Sequence, residues 1–283
     1  MKKILIIGGT GYIGREIVKK LRNKNYEVAV LSRKSNTLKD IKCIQCSLLN
    51  KELLKEKING FDVIIYSAGI VRTIMKWKYD ENLPGVKNLV EAMNFNNIKK
   101  LIYFSTQYVY IDKTGPYGRS KKECDRIIEN SGLDYIMVRP DFVYGIDKQH
   151  FYKLALLAKK TRILPIIGAA KRLQPINKED VARVTISLID NIDKIKPNSI
   201  MDLSGKDVVS LNDIADYIEK YLNKKCMKVN IPFSLLKIFK NVLPFDLDSL
   251  TGDRLDRKMG NLNIDLKLSH TLEEDLKKIV EKV

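Results

Sequence analysis

Tyr117 and Lys121 stand four residues apart in Tyr117-Gly118-Arg119-Ser120-Lys121, a spacing that puts both side chains on one face of a helix. A phenol with an ordinary pKa of about 10 exchanges protons poorly at neutral pH. A neighbouring ammonium favours the phenolate, so Lys121 is expected to lower the pKa of Tyr117. A phenol tuned in this way can pass a proton to or from a carbonyl/alcohol pair while a nicotinamide gives or takes hydride. Ser105 and Thr106 lie just upstream, at the end of the apolar run Lys99–Phe104. The carboxyl ends of strands are where α/β sheets bind ligands, so a hydroxyl there is placed to hydrogen-bond the reacting oxygen.

A second constellation would hold the hydride carrier. Gly8-Gly9-Thr10-Gly11-Tyr12-Ile13-Gly14 joins an apolar run to a helical segment. Gly8 permits a tight turn, Gly11 lets backbone approach a pyrophosphate, and Gly14 lets helix and sheet pack closely. The helix that follows presents unpaired N–H groups and its positive end to phosphate. Gly8, Thr10, Gly11, Tyr12, Ile13 and Gly14 are therefore the expected dinucleotide cradle. The second strand ends in Leu31-Ser32-Arg33-Lys34-Ser35, with no carboxylate to accept from a ribose 2′-hydroxyl. Arg33 and Lys34, beside Ser32, can instead meet a 2′-phosphate, which the planar fork of Arg suits. That reading favours NADP(H) over NAD(H).

The elements needed to position these groups are legible. Strands are expected at Lys3–Ile7, Glu27–Leu31, Lys42–Cys46, Asp62–Tyr66, Lys99–Phe104 and Asp134–Val138, all near-continuous apolar runs as in parallel sheets covered on both faces. Helices are expected near Ile13–Asn23, Asn82–Phe95 and Tyr117–Asn130, and the βαβαβ order implies a doubly wound sheet. The fold class is thus α/β: a Rossmann-type parallel sheet with a small, mostly helical carboxyl-terminal lobe. Residues 1–145, with a returning segment at about 172–205, would form the dinucleotide-binding domain; 146–171 and 206–283 would form the lobe. A further helix is expected from His150 to Lys160, and Asp180 is expected to cap another.

Composition narrows the class. The 283 residues are 45% hydrophobic and 30% charged, as in ordinary globular chains, with ample length for a large core. No apolar run reaches the length of a membrane span. Ile4–Ile7 is too short for a secretion signal and a glycine turn follows at once, so a cytoplasmic protein is expected. The net charge of +17 comes from dispersed lysines without interleaved aromatics; it reads as solvated surface rather than a nucleic-acid site. Cys43 and Cys46 have ligand-like spacing, but neither a second pair nor clustered histidines accompany them. They read as buried thiols, with a redox pair as the alternative, and no metal site is expected.

On these residues the chain resembles the extended and atypical short-chain dehydrogenases/reductases over nearly its whole length. Tyr66-Ser67-Ala68-Gly69 resembles the family's turn after the fourth strand, so Ala68 and Gly69 are implied at the cofactor. Asn82 falls on the family's helix asparagine, a structural or proton-relay residue. Ser105-Thr106-Gln107-Tyr108-Val109-Tyr110 resembles the serine segment and puts the catalytic hydroxyl on Thr106. Tyr117 and Lys121 match the Tyr-x-x-x-Lys pair, and the resemblance implies that Lys121 also binds the nicotinamide ribose. Arg139-Pro140-Asp141-Phe142-Val143-Tyr144-Gly145 resembles the segment whose backbone, at Pro140 and Val143, lies near the nicotinamide. Relatives are commonly homodimers through the two helices that flank the active site.

Departures bear on function. The Thr106–Tyr117 connection is shorter than in sugar-nucleotide epimerases, and Cys46-Ser47-Leu48 replaces the acidic residue near the adenine. In register with Asp180, Leu173 replaces the Arg that binds diphosphate, with Arg172 adjacent. Gln174-Pro175, Leu203-Ser204-Gly205, Pro232-Phe233-Ser234-Leu235-Leu236 and Thr271-Leu272-Glu273-Glu274 resemble atypical members related to an NADPH-binding accessory subunit of respiratory complex I. The apolar segment Ile231–Phe245 reads as a lid, a partner or membrane patch, or a cover for the core; Trp77 reads as a substrate-site wall or as ordinary packing. Two functions follow: an NADP(H)-dependent oxidoreductase or epimerase acting on a small alcohol or ketone, including nucleotide sugars, or a non-catalytic NADPH-binding accessory, assembly or redox-sensing protein.

Overall fold

A computed structural model describes all residues except 23, 35–37, 39, 71, 72, 74, 112, 113, 168–171, 233, 234 and 236–265; for 76 and 77 the backbone alone is described. Trp77's side chain and most of the segment 231–245 thus lie outside the described residues.

The chain opens with β1 (Lys3–Ile7), α1 (Gly14–Leu21), β2 (Glu27–Ser32), β3 (Lys42–Gln45), α2 (Lys51–Lys57) and β4 (Val63–Tyr66). A 3-10 helix at Lys76–Glu81 leads into α3 (Asn82–Phe95), followed by β5 (Lys100–Phe104), a second 3-10 turn at Gln107–Tyr110, α4 (Pro116–Glu129) and β6 (Asp134–Pro140). The second half adds β7 (Val143–Tyr144), α5 (Phe151–Thr161), β8 (Ile163–Ile167), β9 (Arg172–Leu173), β10 (Ile176–Asn177), α6 (Lys178–Asp190) and β11 (Ser199–Leu203). It closes with β12 (Val209–Ser210), α7 (Leu211–Leu222), β13 (Met227–Ile231) and, after the undescribed stretch, α8 (Leu272–Glu281).

Seven strands form one parallel sheet in the order β11-β6-β5-β4-β1-β2-β3. The expected six strands are all present, because apolar side chains on both faces of each strand require cover on both sides. Ile4, Ile6, Val30, Val63, Ile65 and Ile102 pack on one face beneath α1 and α6; Leu5, Ile7, Ile64, Leu101, Tyr103 and Met137 pack on the other beneath α2, α3 and α4. A third cluster gathers α5, α7, α8 and β8 around Phe151, Leu164, Ile166, Ile214, Ile218 and Leu276.

The described part of the tail from Lys206 carries two helices, α7 and α8, and adds two short strands: β12 pairs with β9 and β13 pairs with β8. One expectation is corrected. Asp180 does not cap α6. Asn177 does, its side chain accepting from the Glu179 N–H at 2.8 Å, while the buried Asp180 carboxylate accepts from the backbone of Ser269 and His270. A carboxylate three residues inside the helix is free to be recruited by a distant segment, and here it anchors the chain before α8.

Candidate active site on the carboxyl edge of the sheet

Every element that carries an expected site residue delivers it to one edge of the sheet, because the strands are parallel and each helix follows a strand's carboxyl end. Gly8 follows β1, Ser32 ends β2, Ala68 follows β4 and Ser105 follows β5. Backbone bonds tie these ends together: the Ser67 N–H donates to Ile7 O at 2.9 Å and the Ser105 N–H to Val138 O at 2.8 Å.

The glycine turn fits a dinucleotide pyrophosphate by exclusion of side chains. Gly8 has φ +86°, and a Cβ on it would stand 2.6 Å from the Ala68 nitrogen. A Cβ on Gly14 would stand 2.2 Å from Gly8 O, so α1 approaches the strand closer than any other residue allows. No side chain caps α1 at Ile13; the Arg15 and Glu16 N–H groups donate to Gly11 O at 3.1 Å and Ile13 O at 3.0 Å, and the positive end of the helix faces the turn. The Arg15 guanidinium donates to Thr10 O at 2.8 Å, bracing the turn from outside. Tyr12 lies under the Lys178 ammonium, 4.8 Å from its ring centroid, and edge-on to His150 at 5.3 Å. Lys178 in turn bridges Glu16 at 3.1 Å and Asp147 at 2.9 Å, locking α1 to α6 and to the loop before α5. At the end of β2, Ser32 Oγ accepts from the Lys34 N–H at 3.2 Å, and Arg33 and Lys34 are both exposed. Pro140 ends β6 in a buried position, and Val143 pairs with Ile176 in a short ribbon beside it.

Asn82 couples this turn region to α4. Its Oδ1 accepts from the Ile70 N–H at 2.8 Å, and its Nδ2 donates to Ser120 Oγ at 3.4 Å. The loop that carries Ala68 and Gly69 is thereby fixed against the helix that carries Tyr117.

Thr106 and Tyr117 meet. Their hydroxyls hydrogen-bond to each other, and Thr106 Oγ1 also accepts from the Tyr108 N–H at 3.3 Å. Ser105 faces elsewhere: its hydroxyl donates to the Asp125 carboxylate, 2.6 Å from the nearer oxygen. The tilted ring of Tyr79 and the edge-on ring of Tyr108 flank Tyr117 at 5.7 and 5.9 Å. This enclosure overturns one expectation. The pKa of Tyr117 is raised, not lowered, because burial disfavours the phenolate and Tyr108 adds to that, with the Thr106 bond as the opposing influence. Lys121 is buried as well. Its ammonium donates to Phe104 O at 2.9 Å and to the Tyr103 hydroxyl at 3.1 Å, so it is turned onto the strand. Burial lowers the Lys121 pKa and Asp125 opposes that shift.

Behind these residues runs a buried network that spacing alone did not reveal. Arg139 donates to Asp125 at 2.9 Å and to the Tyr110 hydroxyl at 2.9 Å; Tyr110 donates to Asp202 at 2.9 Å. Asp125, Arg139 and Asp202 are 3%, 8% and 7% exposed, so none of these charges is relieved by bulk water. The i,i+4 relation of Lys121 to Asp125 was the one signal available in the sequence. The expected diphosphate position is filled by Leu173, which packs into the lobe cluster, while the exposed Arg172 bears on Asp213 at the start of α7. Among the described residues no group of His, Cys, Asp or Glu is disposed to hold a metal, Cys43, Cys46, Cys124 and Cys226 are free thiols, and no helix is long and apolar enough to cross a membrane.

A parallel doubly wound sheet with a glycine cradle after its first strand defines a dinucleotide-binding protein. A family model described as NAD(P)H-binding matches residues 8–192, and the chain belongs to that family. The likeness to extended and atypical short-chain dehydrogenases/reductases read from the sequence is borne out. The photosystem II assembly factor Ycf39 of Cyanophora paradoxa is 27% identical over 248 residues, covering 86% of this chain and 75% of that protein. The mitochondrial NADH-ubiquinone oxidoreductase 40 kDa subunit of Neurospora crassa is 20% identical over 272 residues, covering 92% and 71%. Among solved structures, UDP-glucose 4-epimerase from Thermotoga maritima, determined with UDP-glucose, matches with a TM-score of 0.77 at 20% identity, covering 99% of this chain and 97% of that one. At that identity the structural likeness is one of fold.

Proposed function

We propose that the protein is an NADP(H)-dependent oxidoreductase or epimerase acting on a small alcohol or ketone. The observation that carries this reading is the hydroxyl pair Thr106–Tyr117, bonded to each other on the edge of the sheet that also bears the glycine cradle. A bound nicotinamide dinucleotide would supply or accept hydride there. Gly8, Thr10, Gly11, Tyr12, Ile13 and Gly14 would hold its pyrophosphate, and Ala68, Gly69, Pro140 and Val143 would border its ring. Arg33 and Lys34 would take the 2′-phosphate, with Ser32 shaping their turn. Thr106 orients the substrate oxygen. Tyr117, kept protonated by burial, donates to a carbonyl oxygen in the reducing direction. Lys121, once released from Phe104 O, would serve the ribose. Leu173 and the outward Arg172 bring no cation to a diphosphate, which favours a small neutral substrate over a nucleotide sugar.

A second reading has support of its own. Lys121 is turned onto the strand, and two relatives are named as an assembly factor and a respiratory-complex subunit. On that reading the protein binds NADPH as an accessory or redox-sensing component and turns nothing over.

The experiment is NADPH oxidation against a panel of simple ketones, together with interconversion of sugar-nucleotide epimers, which consumes no net cofactor, with Tyr117→Phe alongside. Turnover lost in the variant supports the enzyme with Tyr117 as its acid; tight NADPH binding with no turnover supports the accessory role, and turnover that survives the substitution removes Tyr117 from the reaction. Arg33→Ala is expected to weaken NADPH binding about tenfold, the scale of one charge-assisted contact, and to leave NADH binding unchanged. Equal effects on both cofactors would remove Arg33 from the 2′-phosphate site.

A further inference from the structure

The β8–β13 ribbon at the far end of the lobe has two unlike faces. Its parallel register pairs Ile163 with Met227, Pro165 with Val229 and Ile167 with Ile231, so these six apolar side chains share one face. The alternate residues Leu164 and Ile166 point the other way, into the lobe core, and are 0% and 1% exposed. On the outer face Met227 is 61% exposed, and Ile163 and Val229 are 37% each.

Cations gather where that ribbon begins. Lys159 and Lys160 close α5, Arg162 follows, and its carbonyl accepts from the Met227 N–H at 2.7 Å. Lys224 and Lys225 lead into β13. All five are exposed, and none of them makes an ion pair among the described residues. Some lysines elsewhere do, such as Lys2, Lys24, Lys178 and Lys220, and others, such as Lys19 and Lys20 on α1, do not; what sets these five apart is the exposed apolar face they adjoin. Five cations outside any ion pair among the described residues, beside an exposed apolar edge, favour the approach of an anionic surface.

We propose that this face docks on an anionic lipid bilayer, with Met227, Val229 and Ile163 entering the headgroup boundary and the five cations lying among the phosphates. Area decides between a bilayer and a protein. Two strands of five residues cover roughly 160 Å², far below the about 800 Å² that each partner buries in a stable protein interface. Interfacial lipid binding needs less: a few apolar side chains inserted, with basic residues at headgroup level. The inference is independent of whether Tyr117 is catalytic.

The test is flotation of the full chain with vesicles of phosphatidylcholine alone and with an equal mixture of phosphatidylcholine and phosphatidylglycerol. The chain is expected to float with the anionic vesicles only and to be released by high salt. Met227→Glu with Val229→Glu, and separately Lys224→Glu with Lys225→Glu, should each lower the bound fraction at least tenfold while NADPH affinity and unfolding midpoint stay unchanged. Lys19→Glu with Lys20→Glu on α1 removes the same charge from a distant face and should leave most of the binding. A chain that stays in the aqueous fraction overturns the proposal. So does binding that survives the Met227 and Val229 pair, or that falls equally with the α1 pair, since total charge would then explain it. Self-association lost on the same ribbon substitutions would hand the surface to a second copy of the chain.

Discussion

Tyr117 and Tyr144 are both buried phenols with raised pKa values, and they sit in opposite chemical situations. Tyr144 donates to the carboxylate of Asp275 at 3.0 Å, and that carboxylate also accepts from Asn177 at 2.7 Å and lies 2.9 Å from a ring nitrogen of His270. Burial and then the Asp275 charge hold the Tyr144 proton in place. Tyr117 meets the neutral hydroxyl of Thr106, with its nearest carboxylate network turned toward Ser105 and Arg139. A phenol bonded to a fixed anion cannot give its proton to anything else without leaving a buried charge unmet. A phenol bonded to a hydroxyl can exchange partners at little cost. The contrast explains why one tyrosine pins the tail to the lobe and the other is suited to acid–base work, although burial affects both alike.

The largest expected effect separates them directly. Tyr117→Phe should lower turnover by about 10²–10⁴-fold, the usual share of a general acid, with NADPH affinity and unfolding midpoint nearly unchanged. Tyr144→Phe should leave turnover intact and lower stability by about 1–2 kcal/mol, the scale of one hydrogen bond to a charged group. Steady-state kinetics and thermal unfolding on both variants decide it; equal turnover losses would end the distinction.

The carboxylates behind the two phenols come next. Asp125→Ala takes the nearer carboxylate from the buried Arg139 guanidinium, leaving Glu129 at 3.6 Å, and should cost about 3 kcal/mol, roughly a 10 °C fall in midpoint. Asp275→Ala strands Tyr144, Asn177 and His270 and should cost a comparable amount, about 3 kcal/mol or more. Only the first should also change the kinetics, because Ser105 and Lys121 both feel Asp125. Thr106→Val is a smaller step, about tenfold in turnover from one lost hydrogen bond, measured against Ser105→Ala as the control.

The pH profile carries its own sign. With its pKa raised, Tyr117 stays protonated through neutral pH and beyond. Reduction should therefore hold level from neutral into mildly alkaline solution, while the reverse oxidation, which needs the phenolate, should keep rising with pH. A reduction rate that falls through neutrality would show a lowered phenol pKa and restore the role first expected of Lys121.

How much of this was legible follows the same division between local and distant. Tyr117 with Lys121, and the glycine cradle, are patterns within a few residues, and the structure brings them to the expected edge. The six strands were readable because each is apolar throughout. The seventh, Ser199–Leu203, was not, because Asp202 interrupts it; that residue is buried and accepts from Tyr110, 92 positions earlier. Asp180 failed as a cap for a like reason: besides Arg183 on the same helix, it accepts from Ser269 and His270, about ninety positions away. The direction of the Tyr117 shift also escaped the sequence, since the spacing shows that a lysine is near but not that its ammonium is committed to Phe104 O.

The smallest effect concerns both tyrosines together. An unfolded tyrosine ionises at about pH 10, whereas Tyr117 and Tyr144 remain protonated in the folded chain well above that, as do Tyr66 and Tyr103. Below pH 10 folded and unfolded phenols are alike protonated and the stability they lend is fully present. Above it the unfolded chain gains by ionising and the folded chain does not, so each such tyrosine removes about 1.4 kcal/mol per pH unit. Tyr117→Phe and Tyr144→Phe should therefore flatten the alkaline fall in stability by the same single share, although their kinetic effects differ by orders of magnitude. Denaturant unfolding at several pH values between neutrality and strong alkali measures that slope. If Tyr144→Phe leaves it unaltered, the phenol ionises as readily in the folded chain as in the unfolded one. Asp275 is then not holding its proton, and the contrast with Tyr117 loses its physical basis.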